Sequence, residues 1–353
     1  MSVTRKLVLM VALSSCLSGH AIAADGFLDP LEQPAPEVSR PINSKLSGIA
    51  AAGSRLIAVG ARGLITVSDD QGASWEQVAS PVSTDLLEVY FPSAAQGWAV
   101  GHEGVVLHSD DGGKTWSKQL DGRQAEKLFT KHFQGLAAAG DDSAAAYLGA
   151  VKLNYADGPE QALMDVWFSD NDNGFVVGTF GTILATRDGG KSWQSWMERV
   201  DNPELLHYNA IAGVGGDVFI ASERGIVFKL DKQANKFFPI ETGYTGTFFN
   251  IDGKGSTAIA VGLRGTAYET NDSGETWELV PTAIKSALTD VMPLKDGRFL
   301  IVGLNGNAMI SNRDNNDFRP LATTRLGRIS SIAQQASGVV AVGPSGVQQI
   351  ELQ

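Results

Sequence analysis

Short runs of Val, Ile, Leu and Ala alternate with Gly- and Asp-rich breaks along nearly the whole chain. The unit is clearest at Ala99–Trp116, AVGHEGVVLHSDDGGKTW. It recurs at Ala58–Trp75 (AVGARGLITVSDDQGASW), Val176–Trp193 (VVGTFGTILATRDGGKSW) and Ala260–Trp277 (AVGLRGTAYETNDSGETW). Each copy predicts a strand, a tight Gly-x-x-Gly turn, a second strand, an Asp/Gly loop and a closing aromatic. The apolar runs carry few charges, as expected of strands buried on both faces. An opening strand precedes each copy, as at Leu86–Phe91, and the fourth strand is placed around the Trp, as at Lys114–Gln119.

The second Gly of the turn occurs seven times, at Gly63, Gly104, Gly181, Gly225, Gly265, Gly306 and Gly346. The position calls for φ > 0, which Gly adopts without strain. Successive spacings are 41, 77, 44, 40, 41 and 40 residues. From each second Gly to Trp75, Trp116, Trp193, Phe237, Trp277 and Phe318 is 12 residues. Seven such units of four strands predict an all-β fold, a seven-bladed β-propeller over residues 45–353. The seventh unit supplies only three strands. The arm at residues 24–44 is therefore expected to provide a fourth within Glu37–Ser44, closing the last blade.

The long spacing marks an insertion at about residues 120–160, between blades 2 and 3. Here the period changes to that of helices. Leu128, Phe129, His132 and Leu136 share one face, and Tyr147, Leu148, Val151 and Tyr155 another, with Asp142 or Ser143 as N-cap between them. The reading is a helical hairpin standing off the propeller, serving either as a cap on its own blade or as a partner-binding arm. In an up-and-down blade the Gly-x-x-Gly turns and the inter-blade connections fall on one face. The insertion therefore shares a face with Arg62, Arg224 and Arg264, each just before a second Gly, and the Asp/Gly loops lie opposite.

Residues 1–23 read as an export signal. Arg5 and Lys6 precede the apolar stretch Leu7–Leu17, and Ala21-Ile22-Ala23 forms a small-x-small cleavage site. The apolar stretch is too short to span a bilayer, which takes roughly 20 residues. Leu13-Ser14-Ser15-Cys16 offers the alternative of a lipidated Cys16. Either way the expectation is an exported, periplasmic protein that is not itself transmembrane. Cys16 is the single cysteine, so no disulfide is available to the fold. The formal charge is −11, and loss of Arg5 and Lys6 with the leader takes it to −13. So acidic a body disfavours nucleic acid as a partner.

The loops Ser68/Asp70/Gly72/Trp75, Ser109/Asp111/Gly113/Trp116, Thr186/Asp188/Gly190/Trp193 and Thr270/Asp272/Gly274/Trp277 resemble the Asp-box, or bacterial neuraminidase repeat. Asp70, Trp75, Asp111, Trp116, Asp188, Trp193, Asp272 and Trp277 are read as structural. The carboxylate can bind loop N–H groups and the Trp can pack between blades. Blade 4 has Lys232 and Ala234 at the Asp and Gly positions, and blade 6 has Arg313 and Asn315. Loss of the box in some blades fits a stabilising device better than a repeated active site. No catalytic residues are assigned, and no metal or cofactor: the histidines lack ligand spacing, and the glycines connect strands rather than opening a phosphate-binding helix. The alternative is a carbohydrate-active, sialidase-like hydrolase, which would need clustered arginines with a Tyr/Glu pair.

Residues 45–353 resemble the photosystem II stability/assembly factor family. The matching features are the AVG-x-x-G units followed by the Asp-box Trp, the pair Gly97-Trp98, and the Arg-Gly turns at Arg62, Arg224 and Arg264. The resemblance implies a seven-bladed propeller without enzyme activity. It also implies binding of newly made reaction-centre protein on the lumenal side of the membrane, with clustered arginines on one face taking part. Carried over residue by residue, Arg62, Arg224 and Arg264 become the partner-binding residues, although the turns at Glu103, Phe180, Asn305 and Ser345 lack Arg. The helical insertion and the simple bacterial export signal depart from the family pattern. They resemble a bacterial branch that need not photosynthesise, in which the membrane-protein client would be another membrane complex.

Overall fold

The structure, a computed structural model, describes residues 28–312, 317–322, 326–336 and 338–352. The predicted leader, Cys16, Arg313 and Asn315 lie outside the described residues. Among the described residues seven antiparallel sheets form the body, six of four strands and one of three. The innermost strand of each blade packs against the innermost strand of the next, and Ser331–Gln334 of blade 7 meets Leu46–Ala52 of blade 1. That contact closes the seven-bladed ring.

The fold follows from where the apolar runs go. The second strand of each blade is buried from end to end in several copies, as in Gly97–Gly101 and Val339–Gly343. With no solvent face, these strands can be continuous runs of Val, Ala, Ile and Gly. The core is a set of wedges between blades. One holds Trp98 of blade 2, stacked on Phe168 of blade 3 with centroids 3.6 Å apart. Another joins Leu56 and Trp75 of blade 1 to Val340 and Val342 of blade 7. The Trp residues precede the fourth strands rather than lying in them: Trp116 is followed by Ser117–Leu120.

The arm corrects the expectation of a closing strand. Among the described residues blade 7 keeps three strands, and Pro41–Asn43 forms a 3-10 turn. Within the expected strand Pro41 removes an N–H that a ladder needs and opens the 3-10 turn instead. The arm instead works as a strap. Asp29 and Glu32 pair with Arg123 at the start of the insertion. Leu31 is buried in the wedge between blades 1 and 2. The Ala35 N–H donates to Ser80 O, and the Val38 N–H to Gln77 Oε1 on the outer strand of blade 1. Ile42 reaches the wedge shared by blades 1 and 7, with its carbonyl against Gly346.

The insertion is two helices, α1 (Gly122–Ala138) and α2 (Ala144–Asn154). Asp121 caps α1 in a capping box: its side chain accepts the Gln124 N–H, and the Gln124 side chain accepts the Asp121 N–H. The hairpin does not stand off the disc. Ala125, Phe129, Phe133, Val151 and Tyr155 belong to the same apolar cluster as Trp196, Met197 and Val200 of blade 3. His132 Nε2 lies 3.0 Å from Glu198 Oε1. The fourth strand of blade 3 is only Gln194–Ser195, and α1 covers the edge that this leaves.

Candidate functional site

The two ends of each hairpin point to opposite faces of the disc. At the Gly-x-x-Gly end the turn is tied to the connection entering its own blade. The His102 N–H donates to Asp85 O, the Thr179 N–H to Ala162 O, and the Leu263 N–H to Thr247 O. Turns and inter-blade connections thus share a face, and α1 leaves from it beside Gly104. All seven second glycines have positive φ, from 66° at Gly104 to 89° at Gly346.

The residue before that Gly is the unexpected feature. Arg62, Glu103, Phe180, Arg224 and Arg264 also sit at positive φ, between 52° and 58°. For a residue with a Cβ this left-handed conformation costs about 1–2 kcal/mol, and Gly or Asn would hold it with less strain. Each such residue is lifted to the tip of its turn. Arg62, Arg224 and Arg264 are exposed. Arg224 Nη1 pairs with Glu204 Oε2 at 2.5 Å. The Arg62 backbone N–H donates to Asp85 Oδ1, and the residue itself is exposed.

The structure places the three predicted arginines on one face but not in one cluster. Arg224 and Arg264 adjoin, on blades 4 and 5. Arg62, on blade 1, lies three blades from each. Three apolar side chains on the same turns complete an arc across blades 3 to 6: Phe180, Leu263 and Leu304 are 43%, 38% and 38% exposed. Phe180 rests edge-on against His207, with centroids 4.6 Å apart. Sequence reasoning passed over these three. The available signal was a bulky apolar residue inside a turn that the topology already assigned to solvent.

The Asp-box end is built to satisfy itself. Asp111 Oδ1 accepts the N–H groups of Lys114 and Thr115, each at 2.9 Å, and Oδ2 accepts the Thr115 hydroxyl at 2.7 Å. Ser109 Oγ donates to Asp111 and accepts the Gly113 N–H. The Trp116 indole N–H donates to Gly113 O at 3.1 Å. Asp70, Asp188 and Asp272 repeat the pattern with Ser74, Ser192 and Thr276. The hydroxyl and N–H of Ser74 hold Asp70 down to about 2, and those of Thr276 do the same for Asp272. At Asp111 burial pulls upward, and the bonds from Thr115, Ser109 and Lys114 overcome it, to about 2. Trp75 donates in the same way, whereas the Trp193 and Trp277 indole N–H groups are buried without a partner among the described residues.

Between the two faces the channel holds a third group of carboxylates, also missed from sequence. Glu88, Asp165, Asp252 and Asp290 line a central cavity of about 210 Å³. Glu88, Asp165 and Asp290 occupy the same register of their inner strands, just after a bulge that re-aims the side chain. Asp165 accepts the N–H of its neighbour Val166 and of Ile211 on blade 4, each at 2.7 Å. Asp290 likewise accepts Val291 and, across to blade 7, Ile332. These two carboxylates fasten one blade to the next. The four carboxylates line the lumen deep within the ring, Asp290 buried and the other three half-buried. Burial pushes Asp252 and Asp290 up to about 7 and raises Glu88 and Asp165 as well. Among the described residues no group of three or more His, Asp or Glu side chains is arranged to hold a metal ion.

A ring of seven blades, four of them with intact Asp-boxes, with its strained side chains on the turn face, defines a propeller scaffold that carries a candidate docking surface. A family profile described as "Photosynthesis system II assembly factor YCF48" matches residues 65–144 and 150–341. The chain belongs to this family. A relative named photosystem II assembly lipoprotein Ycf48, from Synechococcus sp. (strain CC9902), is 29% identical over 148 residues. That alignment covers 41% of this chain and 44% of the relative. The chloroplastic photosystem II stability/assembly factor HCF136 of Oryza sativa subsp. japonica is 23% identical over 207 residues, covering 51% and 50%. The alignments thus span about half the length of these curated relatives. Among solved structures, one described as YCF48 bound to D1 peptide superposes with a TM-score of 0.65 at 16% identity, covering 91% of this chain and 96% of that one. YCF48 from Cyanidioschyzon merolae gives 0.62 at 18% identity, covering 89% and 97%. At such identities the likeness bears on the fold.

Proposed function

We propose that the protein is an exported, non-enzymatic assembly factor that docks a membrane-protein client on its turn face. The observation that carries this is the set of strained turn tips. Arg62, Phe180, Arg224 and Arg264 hold a conformation that costs stability, and they present basic and apolar groups to solvent. Strain kept at exposed positions points to use. Arg suits a carboxylate-bearing partner because its guanidinium can bind both oxygens at once. Family membership supports the same reading, and a family relative has been solved with D1 peptide. No helix among the described residues is long and apolar enough to cross a membrane. The export signal at 1–23 would place the protein in the periplasm, either free after cleavage at Ala23 or anchored through Cys16.

The sialidase-like alternative requires arginines that converge on one substrate carboxylate. Arg62 lies three blades from the other two, which weakens it. Co-purification of crosslinked membrane proteins tests the docking reading. The triple variant Arg62→Ala, Arg224→Ala, Arg264→Ala should lose the client at least tenfold while keeping the wild-type circular dichroism and melting temperature. Undiminished recovery of the same client would reject the turn face as the docking site.

A further inference from the structure

The four intact Asp-boxes also seal the ring. Each sets its loop against the preceding blade. Gly113 meets Ile57 of blade 1, Gly190 meets Gln119 of blade 2, Gly274 meets Phe219 of blade 4, and Gly72 meets Val340 of blade 7. Polar side chains of the preceding blade reinforce the seal. Gln119 Nε2 donates to Gly189 O at 2.8 Å, and Lys229 Nζ to Ser273 O at 2.6 Å. Blade 4 breaks the pattern. Leu230, Lys232, Ala234 and Lys236 stand where a box has Ser/Thr, Asp, Gly and Ser/Thr. Its loop curls on itself instead, with Asp231 accepting the N–H groups of Gln233 and Ala234.

The result is a gap at the junction of blades 3 and 4. Phe175 occupies the strand register of Ile57, Trp98, Phe219 and Val340, but no box glycine covers it. A cavity of about 570 Å³ opens there, beside the mouth of the channel. Tyr90, Trp167, Phe175, Val218 and Leu230 line it, with Lys232 at the rim. Tyr90 and Trp167 stand side by side in the lining, on the inner strands of blades 2 and 3. The rim carboxylate, Asp217, lies 3.8 Å from Lys229. Lys232 is exposed and has no hydrogen bond or ion pair among the described residues. The free charge at the rim is therefore positive, above a floor of aromatic and aliphatic carbon. Size and lining match those of small-molecule sites, which run at about 300–1,000 Å³.

We propose that this gap is a binding pocket for small organic carboxylates with a flat apolar body. The ring packs against Trp167 and Phe175, and the carboxylate meets Lys232 Nζ. The site lies on the face opposite the docking turns, so its occupancy is separable from client binding. The probe is 1-naphthylacetate, titrated calorimetrically into the full mature chain, with neutral 1-naphthylacetamide as control. Saturable binding tighter than about 1 mM is expected, with the amide at least fivefold weaker. Lys232→Glu changes an exposed side chain and should weaken the acid at least tenfold. A second variant rebuilds the box through Leu230→Thr, Lys232→Asp, Ala234→Gly and Lys236→Thr. It should fill the gap and abolish binding. Should that variant misfold, Lys232→Glu and the acid/amide pair decide alone. Absence of saturable binding, or equal affinity in the Lys232→Glu variant, would overturn the proposal.

Discussion

The two ends of one hairpin differ in how they treat their own side chains. At the Asp-box end of blade 2, Ser109, Asp111 and Thr115 bond back to the loop that carries them, and Trp116 closes over it. At the turn end Glu103, and its counterparts Arg62, Phe180, Arg224 and Arg264, are held in a strained conformation that their side chains do little to relieve. One end lowers the energy of the fold, and the other spends some of it. The difference makes the first face scaffold and supports the recognition role proposed for the second, although the Asp-box is the richer of the two in acids and hydroxyls.

Four measurements test this contrast. The largest effect is expected from Trp116→Ala, which empties a buried site at the box end. It should cost about 3–5 kcal/mol in urea unfolding, whereas truncation of exposed Phe180 should cost little. Next comes the pH profile. The channel acids have raised folded-state values, so the stability they contribute is present near pH 4 and lost as pH rises through about 7. The box acids have depressed values, so their contribution is present above about pH 4 and lost as pH falls toward about 2. Melting temperature should therefore peak near pH 4–5, and Asp290→Asn should flatten the alkaline limb by about 1–3 kcal/mol. An unchanged slope would deny the channel acids their role. Third, Asp111→Ala strips several N–H and hydroxyl partners from one loop and should cost about 1–2 kcal/mol by chemical denaturation. The smallest change has the opposite sign. Arg62→Asn relieves left-handed strain and should gain about 0.5–1 kcal/mol while weakening client recovery. A loss of stability there would mean that the turn end is scaffold too.

The ring was legible in the sequence because the apolar runs and the Gly-x-x-Gly turn recur seven times, six of them with the same 12-residue step from Gly to aromatic. Local period also revealed both helices of the insertion. It could not show that Phe129 and Phe133 meet Trp196 and Met197, because that depends on blade 3 ending its outer strand at Ser195. The arm misled for a related reason: an unpaired blade edge suggested a strand, but Pro41 in the middle of it had already removed a donor and favours a turn. The channel acids had a readable signal. Leu86-Leu87-Glu88-Val89, Leu163-Met164-Asp165-Val166 and Leu288-Thr289-Asp290-Val291 each place an acid inside an apolar strand at one register. The three arginines were correctly assigned to one face. Their separation around the ring emerges only when the blades are counted off in space.

The strap and the three-stranded seventh blade bear on how the molecule is made. Blade 1 is synthesised first, yet it shares an apolar wedge with blade 7, and Gln71 is bonded by Gln349, 278 residues away. Until the final strands emerge, blade 1 has one flank bare and the wedge that receives Ile42 is half built. Contacts of such long sequence separation form slowly. Completion of the disc is thus timed by the arrival of its C-terminal strands, and a chain halted before them would present an open, apolar-edged crescent to the quality-control machinery rather than a smaller working protein.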